Sequence, residues 1–379
     1  MFELSDEQKE IQKLARDFAK NEIIPVAAEY DEKAEFPWPV VKKAMEIGLW
    51  NLNIPEKYGG QELDHFTENL VYEELAYGCL GVFGAFGGTS LALTPILLSG
   101  SEEQKQRLLP PFAQTAHLAA FALTEPNAGS DASAIATRAK KVGDDYVIDG
   151  TKCFITHGGI ADLYTVFAST DRTQGIKGLT AFMVPGDTPG LSMGKKENKM
   201  GDRASHIGEV LFEEVRVPSE NRLGNEGDGF KIAMHTLDIT RPTIAAGAVG
   251  VAQRALDEAV KYAKQRIQFG KPIAEHQAIQ FMLVDMVMAI MASRLLVWQA
   301  AVKIDEGNVD SLLSATCKCM ASDTAMKVTV DALQIFGGYG YMKDYPMEKL
   351  MRDAKITQIY EGTNQIQRQI IASALLKQY

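Results

Sequence analysis

The spacing of apolar residues changes period twice along these 379 residues, and that pattern constrains the fold more than any other feature. The first stretch repeats at helical spacing, with Ile11, Leu14, Ala15, Phe18 and Ala19 on one face. Ser5 and Gln8 form a predicted capping box ahead of it. Further helices are expected at about 38–48, 66–78, 88–99 and 102–114, the last capped by Ser101 with Glu102 and Glu103 in its first turn. Near residue 118 the texture turns to short β-like runs: Tyr146–Ile148, Tyr164–Phe167, Ala181–Val184 and Glu209–Phe212. Asp149-Gly150, Lys177-Gly178 and Pro189-Gly190 read as turns between them, with Asp149-Gly150 the sharpest hairpin signal. From about residue 228 helical spacing returns, over about 228–266, 273–305, 309–336 and 365–376. The expected class is α+β: an N-terminal helical domain (1–117), a middle antiparallel β domain (118–227) and a C-terminal helical bundle (228–379).

The bulk properties exclude several function classes. Hydrophobic content of 46% and charged content of 23% are those of a soluble globular protein. A net charge of −10 argues against a broad nucleic-acid surface. Cys79, Cys153, Cys317 and Cys319 form no CxxC pair, so reduced, buried thiols are expected. The six histidines are scattered, HExxH is absent, and no metal site is expected. Neither a GxGxxG nor a GxxxxGK[ST] loop occurs, and no GxSxG elbow. No signal peptide and no membrane span are read, so the expected location is cytoplasmic.

Four segments carry polar groups beside glycines. Glu361 lies between Tyr360 and Gly362, with Thr363 or Asn364 placed to cap the last helix. A carboxylate among apolar neighbours has its pKa raised toward that of a general base; a solvated glutamate at a helix start fits equally well. Phe121–Asp131 offers hydroxyls, backbone N–H groups and Gly129 to a heterocycle or pyrophosphate; it also fits an ordinary Pro-Asn-Gly turn. Lys152–Gly159 reads as an aromatic-Thr strand end or a plain strand leaving through glycines. Gln334–Tyr341 ends a helix on paired glycines, which as a C-cap needs no function.

Taken together, in order, these segments resemble the acyl-CoA dehydrogenase family over essentially the whole chain. The marks are Thr124-Glu125-Pro126-Asn127-Ala128-Gly129-Ser130-Asp131, Phe154-Ile155-Thr156, Arg266-Ile267-Gln268-Phe269-Gly270-Lys271, Gln334-Ile335-Phe336-Gly337-Gly338 and Met351 through Gln365. Thr240-Arg241-Pro242 is most similar to the medium-chain branch; short-chain members also share Phe154. The resemblance implies FAD bound between the β and C-terminal domains of a homotetramer. It implies that Phe121, Leu123, Thr124, Gly129, Ser130, Phe154, Ile155 and Thr156 line the flavin, with Thr124 and Thr156 bonded to its ring. Arg266, Phe269, Gln277, Gln334, Gly337 and Gly338 would reach the FAD of a neighbouring subunit, and Thr363 and Gln365 the adenosine diphosphate part. Ser130, Asp238 and Arg241, with Tyr360 and Gly362, would contact the substrate.

Glu361 matches the family's catalytic base, taking the substrate α-proton while the β-hydride leaves to the flavin. Some members carry the base where this chain has Thr240, and a threonine cannot serve. His157 and Ser373 stand where Asn and Arg are usual. The implied reaction is α,β-dehydrogenation of an acyl-CoA thioester to the trans-2-enoyl-CoA, with electrons passed to an electron-transfer flavoprotein. The alternative is an enoyl-CoA reductase running the same chemistry in reverse in a complex with that flavoprotein. Residues 76–100 include no charged side chain, which argues against a dicarboxyl acyl group. Gly84, Gly87 and Gly88 suggest either a widened, apolar acyl pocket taking a medium, branched or aromatic chain, or close helix packing.

Overall fold

The computed structural model describes residues 3–378. The N-terminal part is helical: α1 Asp6–Phe18, α2 Ile24–Lys33, α3 Trp38–Glu46, α4 His65–Gly78, α5 Leu80–Ser99, α6 Glu102–Leu108 and α7 Pro110–Gln114. The capping boxes at Ser5/Gln8 and Ser101/Gln104 both form. Two boundaries differ from the expectation. α5 begins eight residues before the expected 88, because Leu80–Phe86 is buried on all sides and shows no helical stripe to read. The helix expected over 102–114 is broken at Leu109, where Pro110 and Pro111 remove two backbone donors.

The strands are β1 Ala119–Ala122, β2 Arg138–Val142, β3 Asp145–Thr156, β4 Leu163–Ser169, β5 Leu179–Pro185, β6 Leu191–Lys196, β7 Ile207–Pro218 and β8 Arg222–Leu223. They pair in the order β6-β7-β3-β2-β4-β5-β8, with β1 added beside β4. Most pairings are antiparallel, as expected, but β1–β4 and the single contact of β2 with β4 are parallel. The hairpin expected at Asp149-Gly150 does not occur. Those residues lie inside β3, at an irregularity in its pairing with β7. A Cβ at Gly150 would lie 2.4 Å from Thr137 Oγ1, so this glycine serves a close strand approach. The actual β2–β3 turn uses Gly143 and Asp144, where Gly143 has φ +65°.

Beyond the sheet the chain is helical: α8 Gly229–Gln265, then β9 Ile267–Gln268 and β10 Lys271–Pro272, α9 Gln277–Asp305, α10 Ser311–Phe336, α11 Met347–Thr357 and α12 Asn364–Gln378. α11 was not anticipated from the sequence. α8 lies at the centre, packed on α4, α5, α9, α10 and α11. A continuous apolar core joins α1–α5, the sheet and the C-terminal helices. All four cysteines are free and buried.

Two polar contacts fix α11, which carries the chain toward Glu361. Arg352 Nη2 donates to Asp31 Oδ2 of α2 at 2.8 Å, and the Asp202 N–H donates to Asp353 Oδ1 at 2.7 Å. The second joins the middle domain to the C-terminal helices beside the site.

Candidate active site

Between α11 and α12 the backbone turns left-handed, with φ of 51° at Glu361 and 89° at Gly362. A glutamate in that region costs about 1–2 kcal/mol, so the turn is held by its surroundings. Gln367 Nε2 donates to the carbonyls of both Glu361 and Gly362, each at 3.0 Å. Thr363, not Asn364, caps α12: its Oγ1 accepts from the Ile366 N–H at 3.3 Å. Asn364 points inward instead, donating to Ser322 Oγ at 2.9 Å and Asp323 Oδ1 at 2.7 Å.

The turn delivers the Glu361 carboxyl to α8. Thr240 Oγ1 donates to Glu361 Oε2 at 2.9 Å. Burial pushes the Glu361 pKa up to about 7, against the Thr240 hydrogen bond and the positive charges of Arg241 and Lys318, which pull it down. The carboxyl is therefore poised to exchange a proton near neutrality. Thr240, set aside as a base, orients the Glu361 carboxyl across 121 residues of sequence. Beside it Arg241 is paired with Asp238, which also accepts from Ser311 of α10. The Arg241 Nε and the Tyr360 hydroxyl are buried without a partner among the described residues. Asp238, Arg241, Tyr360 and Gly362 are thus gathered around Glu361. Ser130 lies apart, exposed on the loop after β1.

The β-domain residues form a second group. Phe121 packs on Phe167 with ring centroids 4.9 Å apart. The Thr124 carbonyl accepts from the Cys153 N–H at 3.0 Å, which ties the Leu123–Ser130 loop to β3. An irregularity in the β3–β7 pairing between Lys152 and Ile155 accompanies a φ of 56° at Phe154, whose ring is left 65% exposed. Ile155 instead sends its side chain into the core. Among the described residues the Thr124 and Thr156 hydroxyls have no hydrogen-bond partner, and nothing lies within 4 Å of where a Gly129 Cβ would stand. An exposed ring, two free hydroxyls and an open glycine fit a flat heteroaromatic group with polar edges.

The loop is held by a buried ion pair that sequence reasoning missed. Lys152 Nζ donates to Glu125 Oε1 at 2.8 Å and to the Leu123 carbonyl at 2.9 Å. Glu125 also accepts from the N–H groups of Ala136 (2.6 Å) and Thr137 (3.0 Å). Burial pushes the Lys152 pKa down to about 8, against the attraction of Glu125. Both residues stand in quoted motifs, but nothing local signals that they pair across 27 positions.

The remaining predicted cofactor residues stand elsewhere. Arg266, Gly337 and Gly338 line a cleft of about 440 Å³ with Tyr262, Phe336 and Tyr339. Phe269 is 95% exposed, and Gln277 and Gln334 are exposed near it. Thr240 lies in the N-terminal third of α8 and Gln265 at its C-terminal end, roughly 37 Å apart along its axis. Within one chain, then, this cleft and the Glu361 site are separate. Thr363 is partly buried under α12's first turn and Gln365 is exposed beside it.

Three profiles of one family match consecutive stretches: the acyl-CoA dehydrogenase N-terminal domain over 5–116, middle domain over 120–215 and C-terminal domain over 227–376. This chain belongs to the acyl-CoA dehydrogenase family. It is accordingly a flavin-dependent oxidoreductase with that family's three-part architecture. A curated acyl-CoA dehydrogenase relative, "Probable acyl-CoA dehydrogenase FadE25" of Mycobacterium tuberculosis, is 47% identical over all of this chain and 97% of its own length. The butyryl-CoA dehydrogenase of Megasphaera elsdenii is 47% identical, with a TM-score of 0.97 over 99% of this chain and all of its own. A chain solved in work on the electron transferring flavoprotein of Acidaminococcus fermentans and flavin-based electron bifurcation is 48% identical, with a TM-score of 0.97 over the whole of both chains.

Proposed function

We propose that this acyl-CoA dehydrogenase uses FAD to convert a short-chain acyl-CoA to its trans-2-enoyl-CoA and passes the electrons to an electron-transfer flavoprotein. The observation that carries this reading is the Glu361 carboxyl, held by Thr240 in a desolvated site with its pKa near 7. Bound FAD would supply the two-electron acceptor for the hydrogen that leaves the β-carbon with its electron pair. Glu361 takes the α-proton. The Glu361 backbone N–H would stabilise charge developing on the thioester oxygen. Phe154, Thr124 and Thr156 would hold the flavin ring, and the Asp238–Arg241 pair would meet the CoA part. Anaerobic addition of butyryl-CoA to the purified yellow protein should bleach the flavin; a spectrum unchanged by every acyl-CoA tried would overturn the reading.

The acyl group is inferred to be short. Gly84, Gly87 and Gly88 are accounted for by close packing, which favours that reading over a widened pocket. Cβ atoms there would meet Ser205 Oγ at 2.7 Å, Phe83 Cζ at 3.1 Å and Thr156 Cγ2 at 2.6 Å. Phe83 also lies against α8, where a Cβ at Gly247 would stand 2.9 Å from its Cε1. Thr240, Ile244 and Gly247 share one face of α8, and Gly247 lies only about 10 Å along the axis from Thr240. An acyl tail following this face from Glu361 meets the Phe83 ring early. The similarity to butyryl-CoA dehydrogenase agrees. Phe83→Ala should raise kcat/KM for octanoyl-CoA relative to butyryl-CoA roughly 10-fold or more, given about 0.8 kcal/mol per buried methylene. An unchanged ratio in a folded, flavin-bound variant would remove Phe83 as the stop.

A second copy of the chain is part of the proposal. The Arg266 cleft is too far from its own Glu361 site to share one cofactor with it, so it would meet the FAD of a neighbour. Phe281, Val284, Met288, Met291 and Leu295 repeat at i, i+3, i+7 along α9, each between 47% and 59% exposed. α9 is long and apolar enough to cross a membrane by composition alone, but it packs on α4, α8 and α10 and carries the Arg294–Glu73 ion pair at 2.8 Å. The stripe suits a helical partner such as another subunit of a homotetramer. The reductase direction is supported by the relative from the electron-bifurcation work; NADH-driven reduction of crotonyl-CoA in the presence of an electron-transfer flavoprotein would establish it.

A further inference from the structure

Beneath the Glu361 turn, the middle of α10 contributes a lysine that is completely buried. Lys318 Nζ donates to the Gly362 carbonyl at 2.8 Å and to Asn364 Oδ1 at 3.0 Å. Both acceptors are uncharged, and among the described residues no carboxylate forms a direct ion pair with this ammonium. A buried cation without a contact ion pair is costly, so its retention points to a partner charge slightly further off. The carboxylate that acts on it most strongly is Glu361.

We propose that Lys318 is the positioning residue for the base: it pins the left-handed turn through the Gly362 carbonyl and adds to Arg241 a second fixed positive charge that favours the ionised Glu361. The proposal rests on the reading of Glu361 as the base. The charge environment supports it from each packed element. On α8, Arg241 also favours the ionised Glu361, and more strongly than Lys318 does, while paired with Asp238. On α10, Asp323 is engaged by Arg368, Gln358 and Asn364, and Cys319 is a buried thiol pushed above its usual pKa. On the α11 side, Tyr360 is pushed well up by burial and stays neutral, with Asp202 and Asp353 beyond it. Lys318 is thus the cation facing Glu361 that lacks a carboxylate of its own. Its pKa is lowered to about 8, chiefly by burial and against the pull of Glu361, so it still carries its charge where the base ionises.

The sign of the effect follows. Glu361 must be ionised to accept the α-proton, so kcat/KM of the wild type should rise with pH through about 7. Lys318⁺ favours the ionised carboxylate, so Lys318→Gln, which keeps hydrogen-bonding capacity but loses the charge, should move this acid limb up by about one pH unit. Lys318→Arg, which keeps the charge, should leave the limb near the wild-type position even if kcat falls. A limb that stays put in Lys318→Gln, or moves as far in Lys318→Arg, overturns the proposal.

A second readout needs no turnover. Thermal unfolding of the FAD-bound wild type, Glu361→Gln, Lys318→Gln and the double variant forms a cycle. Coupling is expected: the Tm loss from Lys318→Gln should be smaller in the Glu361→Gln background, and recovery of folded double variant where Lys318→Gln alone does not fold counts the same way. Additive Tm losses overturn the proposal. If Glu361 were not the base, Glu361→Gln would still be bleached by substrate while the coupling persisted, so the two readings fail separately.

Discussion

Glu361→Gln is expected to lower kcat by about 10⁴-fold, at the upper end of what a positioned general base contributes, while FAD stays bound. The replacement is nearly isosteric and keeps an oxygen to accept from Thr240 Oγ1, which lies 2.9 Å from Glu361 Oε2. The turn's own clamps act on backbone carbonyls, from Gln367 and Lys318, and are untouched. What is lost is the carboxylate that can take a proton near neutral pH. The check is stopped-flow bleaching by butyryl-CoA beside the FAD-to-protein ratio. Bleaching at near-wild-type rate would mean that another group removes the α-proton.

The largest structural effect is expected from Lys152→Met. Lys152 is fully buried and Glu125 is 5% exposed, so removing the lysine leaves a desolvated carboxylate with only two backbone donors. Breaking one side of such a pair costs about 3–5 kcal/mol. The damage is local to the loop that presents Leu123, Thr124 and Gly129, because the same ammonium holds the Leu123 carbonyl. Lys152→Met should therefore lower both the denaturation midpoint and the FAD content, and Lys152→Met/Glu125→Gln should recover part of the stability. A variant with wild-type midpoint and full FAD would show that the two backbone donors suffice.

The turn before α12 was legible because its signal is local: a glycine and two candidate caps stand in a row after Glu361, and one of them, Thr363, caps the helix that forms. The helix–strand–helix order was legible for a similar reason: periodicity needs only a window of residues, and α8, α9 and α10 begin and end within a few residues of the expected limits. Legibility failed where burial removed the pattern. The first two turns of α5 are apolar on every face, and Asp149-Gly150 carries a hairpin's composition in the middle of β3 because its glycine answers to Thr137.

The three glycines of α5 show the same limit in the acyl region. Their small size is plain in the sequence and their purpose is not. Whether a missing side chain opens a pocket or admits a neighbour depends on what packs opposite, and here Ser205, Phe83 and Thr156 do.

By itself, then, the sequence determined the order of elements and the family, and it singled out the Glu361 carboxylate. Those rest on residues adjacent in the chain or repeated at a fixed spacing. Tertiary structure decided how that carboxylate is tuned. Thr240 reaches it from 121 positions away and Lys318 holds its turn from 44 away, while burial raises its pKa. Desolvation and charge act through space, so they become readable only when α8, α10 and the turn before α12 are packed together.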